Sequence, residues 1–302
     1  MHKIKHYLSL IKFSHTIFAM PFALIGFVLG INFLQKENAF KINNSSFGFF
    51  ISKLVLVISC MVLVRSAAMA FNRYLDRQYD ALNPRTAIRE IPSGKISAQQ
   101  ALLFTVLCCL GFSACSFFIN PICFYLSFVA LFVVLFYSYT KRFTPLCHLV
   151  LGLGLSLAPI GAFLAVTGVF SWIPLLFSIL VICWVSGFDI IYALQDEEFD
   201  KAHGLNSIPV LLGKKNALLF SSFLHLIAVA VCILVGWLGN MGISYWIGAF
   251  VFIAMLIYQH TLVKPNDLSK VNIAFMTANG FASVLYSIFV ITDLCLHNPY
   301  TL

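Results

Sequence analysis

The stretch SWIPLLFSILVICWVSGFDIIYALQDEEFD, residues 171–200, decides how the chain is read. Its first eighteen residues carry no charge. Then Asp189, Asp196, Glu197, Glu198 and Asp200 arrive within twelve residues. A helix needs about 20 apolar residues to cross a hydrocarbon core, and acids at its end mark where it meets water. The rest of the chain repeats the apolar half of this pattern. It has 302 residues, 61% hydrophobic and only 10% charged, whereas soluble domains are roughly a quarter charged. A surface with so little charge is solvated by lipid. The expected class is an all-α integral membrane protein, a single domain over residues 1–302.

Working outward from 171–193, which continues helically to about Asp196, the same criterion gives eight further spans. They are 14–34, 47–69 (continuing to about Asp80), 100–119, 121–139, 145–166, 217–238, 243–263 and 273–294. Nine helices around a central cavity are expected. With a cytoplasmic N-terminus, fifteen of the nineteen basic residues fall on the cytoplasmic side: Lys3, Lys5, Lys12, Arg73, Arg77, Arg85, Arg89, Lys95, Lys141, Arg142, Lys201, Lys214, Lys215, Lys264 and Lys270. The opposite side holds Lys36, Lys41 and Lys53, and Arg65 lies within a span. This positive-inside bias sets the orientation and places the protein in a cell's inner membrane with its polar loops, 81–99 and 197–216, toward the cytoplasm. The net charge of +8 is thus a topology signal, and no nucleic-acid motif accompanies it. The nine cysteines form no CxxC pair and read as packing residues. The basic start leads into a retained first helix rather than a cleaved signal.

Eight of the eleven acids fall in two clusters: Asp76, Asp80 and Glu90, then Asp189, Asp196, Glu197, Glu198 and Asp200. The first reads Asn72-Arg-Tyr-Leu-Asp76-Arg-Gln-Tyr-Asp80. Its four-residue spacing stacks Asn72, Asp76 and Asp80 near one helix face, and Asp196 and Asp200 repeat it. Each cluster closes a span returning to the cytoplasm, so two halves face one cavity. Opposed carboxylates suit Mg²⁺, a hard cation commonly bound by one or two carboxylates plus substrate phosphates. Asp76, Asp80, Asp196 and Asp200 are the expected metal ligands, with a diphosphate between them and Lys141 and Arg142 completing the charge balance. Arg65, seven residues before Asn72, lies about two turns deeper, to reach the diphosphate or pair with an acid. Tyr192 faces the cavity or serves as an interfacial aromatic. His148 reads as packing, Glu197 and Glu198 as a solvated edge, and Asp293, at the opposite face, as close to neutral for activity.

Asn72-xxx-Asp76-xxx-Asp80 and Asp189-xx-Tyr192-xx-Gln-Asp196-xxx-Asp200 resemble the two signature motifs of the UbiA superfamily of intramembrane aromatic prenyltransferases. Similar stretches are FSHTIFAMPFAL from Phe13, RTAIREIPSG from Arg85, and Tyr139-Thr-Lys-Arg142. The resemblance covers about residues 10–285. It implies a cavity open to the cytoplasm and laterally to membrane lipid, a polyprenyl diphosphate donor and a small aromatic acceptor on the way to a quinone. It also implies Mg²⁺–diphosphate binding by Asp76, Asp80, Asp196 and Asp200. Asn72 matches a polar anchor and Arg142 a basic residue near the diphosphate. Asp189 matches a group that orients or deprotonates the acceptor. The 4-hydroxybenzoate enzymes are the main match. The Asn83-Pro-Arg-Thr and Arg89-Glu-Ile-Pro pattern also resembles relatives that prenylate a dihydroxynaphthoate for menaquinone.

The other class compatible with membrane carboxylates is an ion-coupled transporter. Such proteins place their sites near the bilayer midplane, often in broken helices, whereas these carboxylates sit at the membrane edge. On the orientation given by the charges, single cysteines placed in loops 81–99 and 197–216 of a cysteine-free background should resist an impermeant thiol reagent in intact cells and react in inverted membranes. Ready labelling from outside reverses the topology.

Overall fold

The computed structural model describes residues 2–11, 18–36 and 44–297. Lys12, Lys41, residues 14–17 of the expected first span and the Phe13 end of the stretch quoted above lie outside them. The helices in chain order are α1 (His2–Leu10), α2 (Met20–Lys36), α3 (Asn44–Leu75), α4 (Arg77–Leu82), α5 (Ala98–Ile119), α6 (Pro121–Thr140), α7 (Cys147–Thr167), α8 (Trp172–Ala193), α9 (Glu197–Ala202), α10 (Ile208–Leu238), α11 (Ile243–Leu262) and α12 (Asn279–His297). Among the described residues, eight helices are long and apolar enough to cross a membrane, and α2, of 17 residues, is a shorter apolar one. This is a multi-span membrane protein.

Helix α8 is the centre of the bundle. Phe177, Leu180, Val181, Trp184, Val185 and Phe188 are all buried, against Phe22 of α2, Phe252 of α11 and Tyr286 of α12. Helices α5 and α6 lie at the edge and expose Leu103, Leu107, Leu110, Phe118, Phe128 and Phe132, which fits lipid contact. In lipid the hydrophobic effect does not drive helices together, so close packing carries the association. The α7–α8 contact is an example. A Cβ on Gly152 would stand 2.4 Å from Ser186 Oγ and 2.7 Å from the Ile182 carbonyl oxygen.

Four boundaries differ from expectation, and each has local chemistry. Helix α3 ends at Leu75 and α4 restarts at Arg77. The hydrogen-bond ladder nevertheless continues, from Asp76 N to Asn72 O at 2.9 Å and from Asp80 N to Asp76 O at 2.8 Å, so Asn72, Asp76 and Asp80 keep their stacking. Helix α8 passes into a 3₁₀ turn, Leu194–Asp196, before α9. The expected loop 197–216 is mostly helical. Ser207 caps α10 by accepting from Val210 N, Pro209 fits its first turn, and Gly213 bends it at φ 73°. The last span opens with a π-helical turn, Ile273–Ala278. Asn279 Nδ2 donates to the carbonyls of Ala274 (2.9 Å) and Phe275 (3.2 Å), and Trp184 Nε1 donates to Asn279 Oδ1 at 2.8 Å. These bonds occupy carbonyls in the widened turn, which carries Phe275 and Met276 to the cavity.

Asp293, expected to be close to neutral for activity, has a structural role. It is 1% exposed and accepts from the first N–H groups of α11, Gly242 N at 2.8 Å and Tyr245 N at 3.2 Å. It is a structural cap far from the Asp motifs in topology, and losing such a cap costs about 0.5–2 kcal/mol of stability.

Two glycines on α7 give opposite expectations. Gly152→Ala forces α7 from α8 and should destabilise the protein by about 1–3 kcal/mol. Gly161, whose Cβ would meet nothing within 4 Å, should tolerate alanine within about 0.5 kcal/mol. Thermal unfolding in detergent, followed side by side, checks the pair. Equal melting points mean that the α7–α8 approach is not tight.

Candidate active site

All ten residues singled out from the sequence line one cavity of about 710 Å³: Arg65, Asn72, Asp76, Asp80, Lys141, Arg142, Asp189, Tyr192, Asp196 and Asp200. The two Asp tracts, separated by four spans in the chain, therefore face each other. A second, apolar cavity of about 320 Å³, walled by α3, α5, α6 and α7 side chains such as Val57, Phe112, Val134 and Leu157, adjoins it. Arg65, Met69, Tyr137, Leu151 and Leu155 line both.

Each motif carboxylate has its own cation. Asp76 Oδ1 accepts from Arg142 Nη2 at 3.0 Å, and its Oδ2 from Asn72 Nδ2 at 3.0 Å. Asp80 is paired with Arg89 and lies 3.9 Å from Arg73. Asp196 is gripped from two sides by Arg85, whose Nε donates to Oδ1 at 3.0 Å and whose Nη2 donates to Oδ2, with Asn83 Nδ2 at 3.3 Å from Oδ1. Asp200, 1% exposed, stands 2.8 Å from Lys141 Nζ. Such charge-assisted pairs are the means by which carboxylates are held out of water. Burial pushes the Asp76 carboxyl above its usual range, and Arg142 opposes that shift. For Lys141, burial alone would lower the pKa, but attraction to Asp200 raises it. Arg85 is likewise held above its ordinary value, against its burial, by Asp196.

The structure also supplies what the sequence reading did not. Tyr192 is tied in by its hydroxyl, which accepts from Arg85 Nη1 at 3.0 Å, and its ring lies 4.2 Å from that of Phe275. Asp189 pairs with His148 at 2.7 Å, not with Arg65. Lys214 lies 3.8 Å from Glu197 and 3.5 Å from Glu198; Glu198 is exposed, whereas the Glu197 side chain is largely covered. From the sequence, Arg85 and Arg89 count as cytoplasmic basic residues and, with Asn83, belong to family-like stretches, but no acid partner is assigned to them, although a basic tract beside an acidic motif is itself a signal for a charge-balanced site.

The donor set suits a hard cation. The oxygens are carboxylate and amide, and Oδ2 of Asp80 and Oδ2 of Asp200 are buried with no hydrogen-bond partner among the described residues. Such acceptors lack a hydrogen-bond donor, although Arg73 Nη1 stands 3.9 Å from Asp80 Oδ2. Among the described residues, no three His, Cys, Asp or Glu side chains stand close enough to hold a metal ion alone. A cation here needs further oxygens from a substrate, as Mg²⁺ sites commonly do.

Residues 19–284 match the UbiA prenyltransferase family. The chain belongs to this family. It is 31% identical over 242 residues to a protein of Aeromonas hydrophila named 4-hydroxybenzoate octaprenyltransferase, covering 80% of this chain and 83% of that one. A UbiA homologue from Aeropyrum pernix K1, solved in its apo form, superposes with a TM-score of 0.76 at 28% identity, over 93% of this chain and 97% of that one. A UbiA homologue from Archaeoglobus fulgidus, solved with GPP and Mg²⁺, has the same fold with a TM-score of 0.73 at 21% identity, over 96% and 100% of the chains. Membership of a prenyltransferase family decides against the transporter reading.

The Asp76–Arg142 pair yields a pH expectation for this UbiA-family site. Arg142→Ala removes the cation that opposes desolvation, so Asp76 takes up its proton at higher pH than in the unmodified protein. Infrared titration can follow this as the carboxyl band that is missing in Asp76→Asn. An unmoved band means that Arg142 does not govern this carboxyl.

Proposed function

We propose that this protein transfers a polyprenyl chain from its diphosphate to a small aromatic acceptor of the 4-hydroxybenzoate type, using Mg²⁺, at a site facing the cytoplasm. The observation that carries the reading is one cavity in which two carboxylate tracts, each already matched by cations, adjoin an apolar cavity. The name of the Aeromonas relative and the GPP and Mg²⁺ bound by the Archaeoglobus homologue support it.

Asp76, Asp80, Asp196 and Asp200 would hold Mg²⁺, with Asn72 beside Asp76. When bound, Mg²⁺ neutralises a leaving diphosphate. The cations now on the carboxylates, Arg85, Arg89, Lys141 and Arg142, are those a diphosphate would take. Their exchange keeps every buried charge compensated. Ionisation breaks the allylic C–O bond and leaves its electron pair on the diphosphate, within reach of these cations. A ring carbon beside the acceptor hydroxyl then forms the new C–C bond, and the displaced ring proton passes to a carboxylate or diphosphate oxygen. The apolar cavity takes the chain and excludes water that would quench the cation.

Deeper in the cavity, Asp189 accepts the acceptor's hydroxyl proton in a hydrogen bond, and Tyr192 with Phe275 offers an aromatic wall. Arg65 sits where the two cavities meet. Its Nε is buried with no hydrogen-bond partner among the described residues. A guanidinium in that state lacks an anionic partner, and the carboxylate of a hydroxybenzoate supplies one.

Membranes containing the protein, given labelled prenyl diphosphate, Mg²⁺ and either 4-hydroxybenzoate or a dihydroxynaphthoate, should transfer label to the former. Diphosphate release with no labelled aromatic product sinks the reading. Asp76→Ala and Asp196→Ala should each cut transfer about 100-fold or more, since a metal-borne interaction is worth several kcal/mol, while the protein remains inserted. Arg65→Ala should raise KM for the acceptor more than for the donor. Near-normal turnover in either Asp variant at limiting Mg²⁺ rules out the metal assignment.

A further inference from the structure

The reading of His148 as a packing residue does not survive its contacts. His148 lies in the first turn of α7, is 3% exposed and lines the polar cavity. Its Nδ1 is 2.7 Å from Asp189 Oδ2 on α8. Its Nε2 faces the backbone N–H of Ile208 at 3.4 Å. Its own carbonyl accepts from Ser186 Oγ at 3.1 Å. The ring is thus held between α8 and α10.

These contacts specify its proton. Ile208 is the first residue of α10, and the first N–H groups of a helix have no partner within it. Ser207 Oγ takes the N–H of Val210, which leaves that of Ile208 for another acceptor. A backbone N–H can only donate, so Nε2 must present its lone pair and the ring proton must sit on Nδ1. The positive end of α10 also opposes a proton on Nε2. From Nδ1 the proton points at Asp189 Oδ2.

Asp189 is partly open to the cavity, with 22% of its side chain exposed, and among the described residues its Oδ1 receives no hydrogen bond. With Oδ2 tied to a fixed donor, the carboxylate cannot rotate freely, and a single acceptor oxygen is presented beside Tyr192. A lone buried carboxylate without that donor would carry a larger desolvation cost and lack a set direction.

We infer that His148 is a positioning residue, a neutral Nδ1–H imidazole locked by the Ile208 amide, that holds Asp189 Oδ1 toward the hydroxyl of the aromatic substrate. The inference rests on the aromatic-acceptor reading for its substrate, but the tautomer itself does not.

The test uses the full-length protein in detergent and two variants. His148→Asn places an amide donor near the site of Nδ1 and cannot titrate, whereas His148→Leu removes the donor. With 4-hydroxybenzoate, His148→Leu should lose about 10- to 100-fold in kcat/KM, the scale of one donor to a buried carboxylate. His148→Asn should recover most of it. Binding of geranyl diphosphate with Mg²⁺ should stay within about twofold in both. Wild-type acceptor kinetics in His148→Leu, or no recovery in a folded His148→Asn, overturn the positioning role. An equal loss of donor binding does so too, because it points to a collapsed site.

Histidine-selective ¹⁵N NMR, with the His148 signal assigned by its loss in His148→Asn, should give a protonated Nδ1 and a bare Nε2. A proton on Nε2, alone or in an imidazolium, refutes the lock. That readout needs no acceptor. If the unmodified protein never prenylates a hydroxybenzoate, the functional reading fails, and the tautomer alone decides whether His148 holds Asp189.

Discussion

Everything at the polar end of this protein depends on compensating carboxylates in a place poor in water. Four acids that belong to two distant tracts would repel one another and would be costly to bury singly. The structure pairs Asp76 with Arg142, Asp80 with Arg89, Asp196 with Arg85 and Asp200 with Lys141. Those cations come from the turn segment after α4 and from the end of α6. The short connections that carry them are therefore part of the site. A Mg²⁺–diphosphate brings both signs of charge, so it can replace these pairings without leaving a buried ion alone.

The apolar bundle serves that arrangement. Helix α8 is buried for most of its length and carries Asp189 and Tyr192 at its polar end. Its tight approach to α7 at Gly152, one turn after His148, holds the two helices at the spacing of the His148–Asp189 pair. The π-helical turn before α12, tied by Asn279 to Trp184, carries Phe275 against Tyr192. Irregular backbone at such depth is tolerated in membrane proteins where it lines a cavity. Two local irregularities, this turn and the break at Asp76, both border the candidate site.

Much of this was legible in the chain because the signals are local. Apolar runs mark spans, since every backbone polar group in lipid must be satisfied within a helix. The four-residue spacing of Asn72, Asp76 and Asp80 survived the interruption of the helix, because the ladder through Asp76 and Asp80 persisted. The tract 83–90 was less legible. Its Arg85 contacts a residue 111 positions away, and nothing in its local pattern names that partner. The capping role of Asp293 is hidden for a similar reason: its place in the sequence says nothing of the α11 N–H groups that it caps.

The sequence by itself determined the solvent, the order of the apolar helices and the two carboxylate tracts, because hydropathy and helical period act over a few turns. Tertiary structure decided which cation meets which acid, where a second apolar cavity adjoins the polar one, and that His148 faces Asp189 rather than lipid. Those outcomes depend on how helices distant in sequence dock. Docking in a bilayer follows from close steric fit and from the need to satisfy each buried polar atom, and neither is written in any single stretch of the chain.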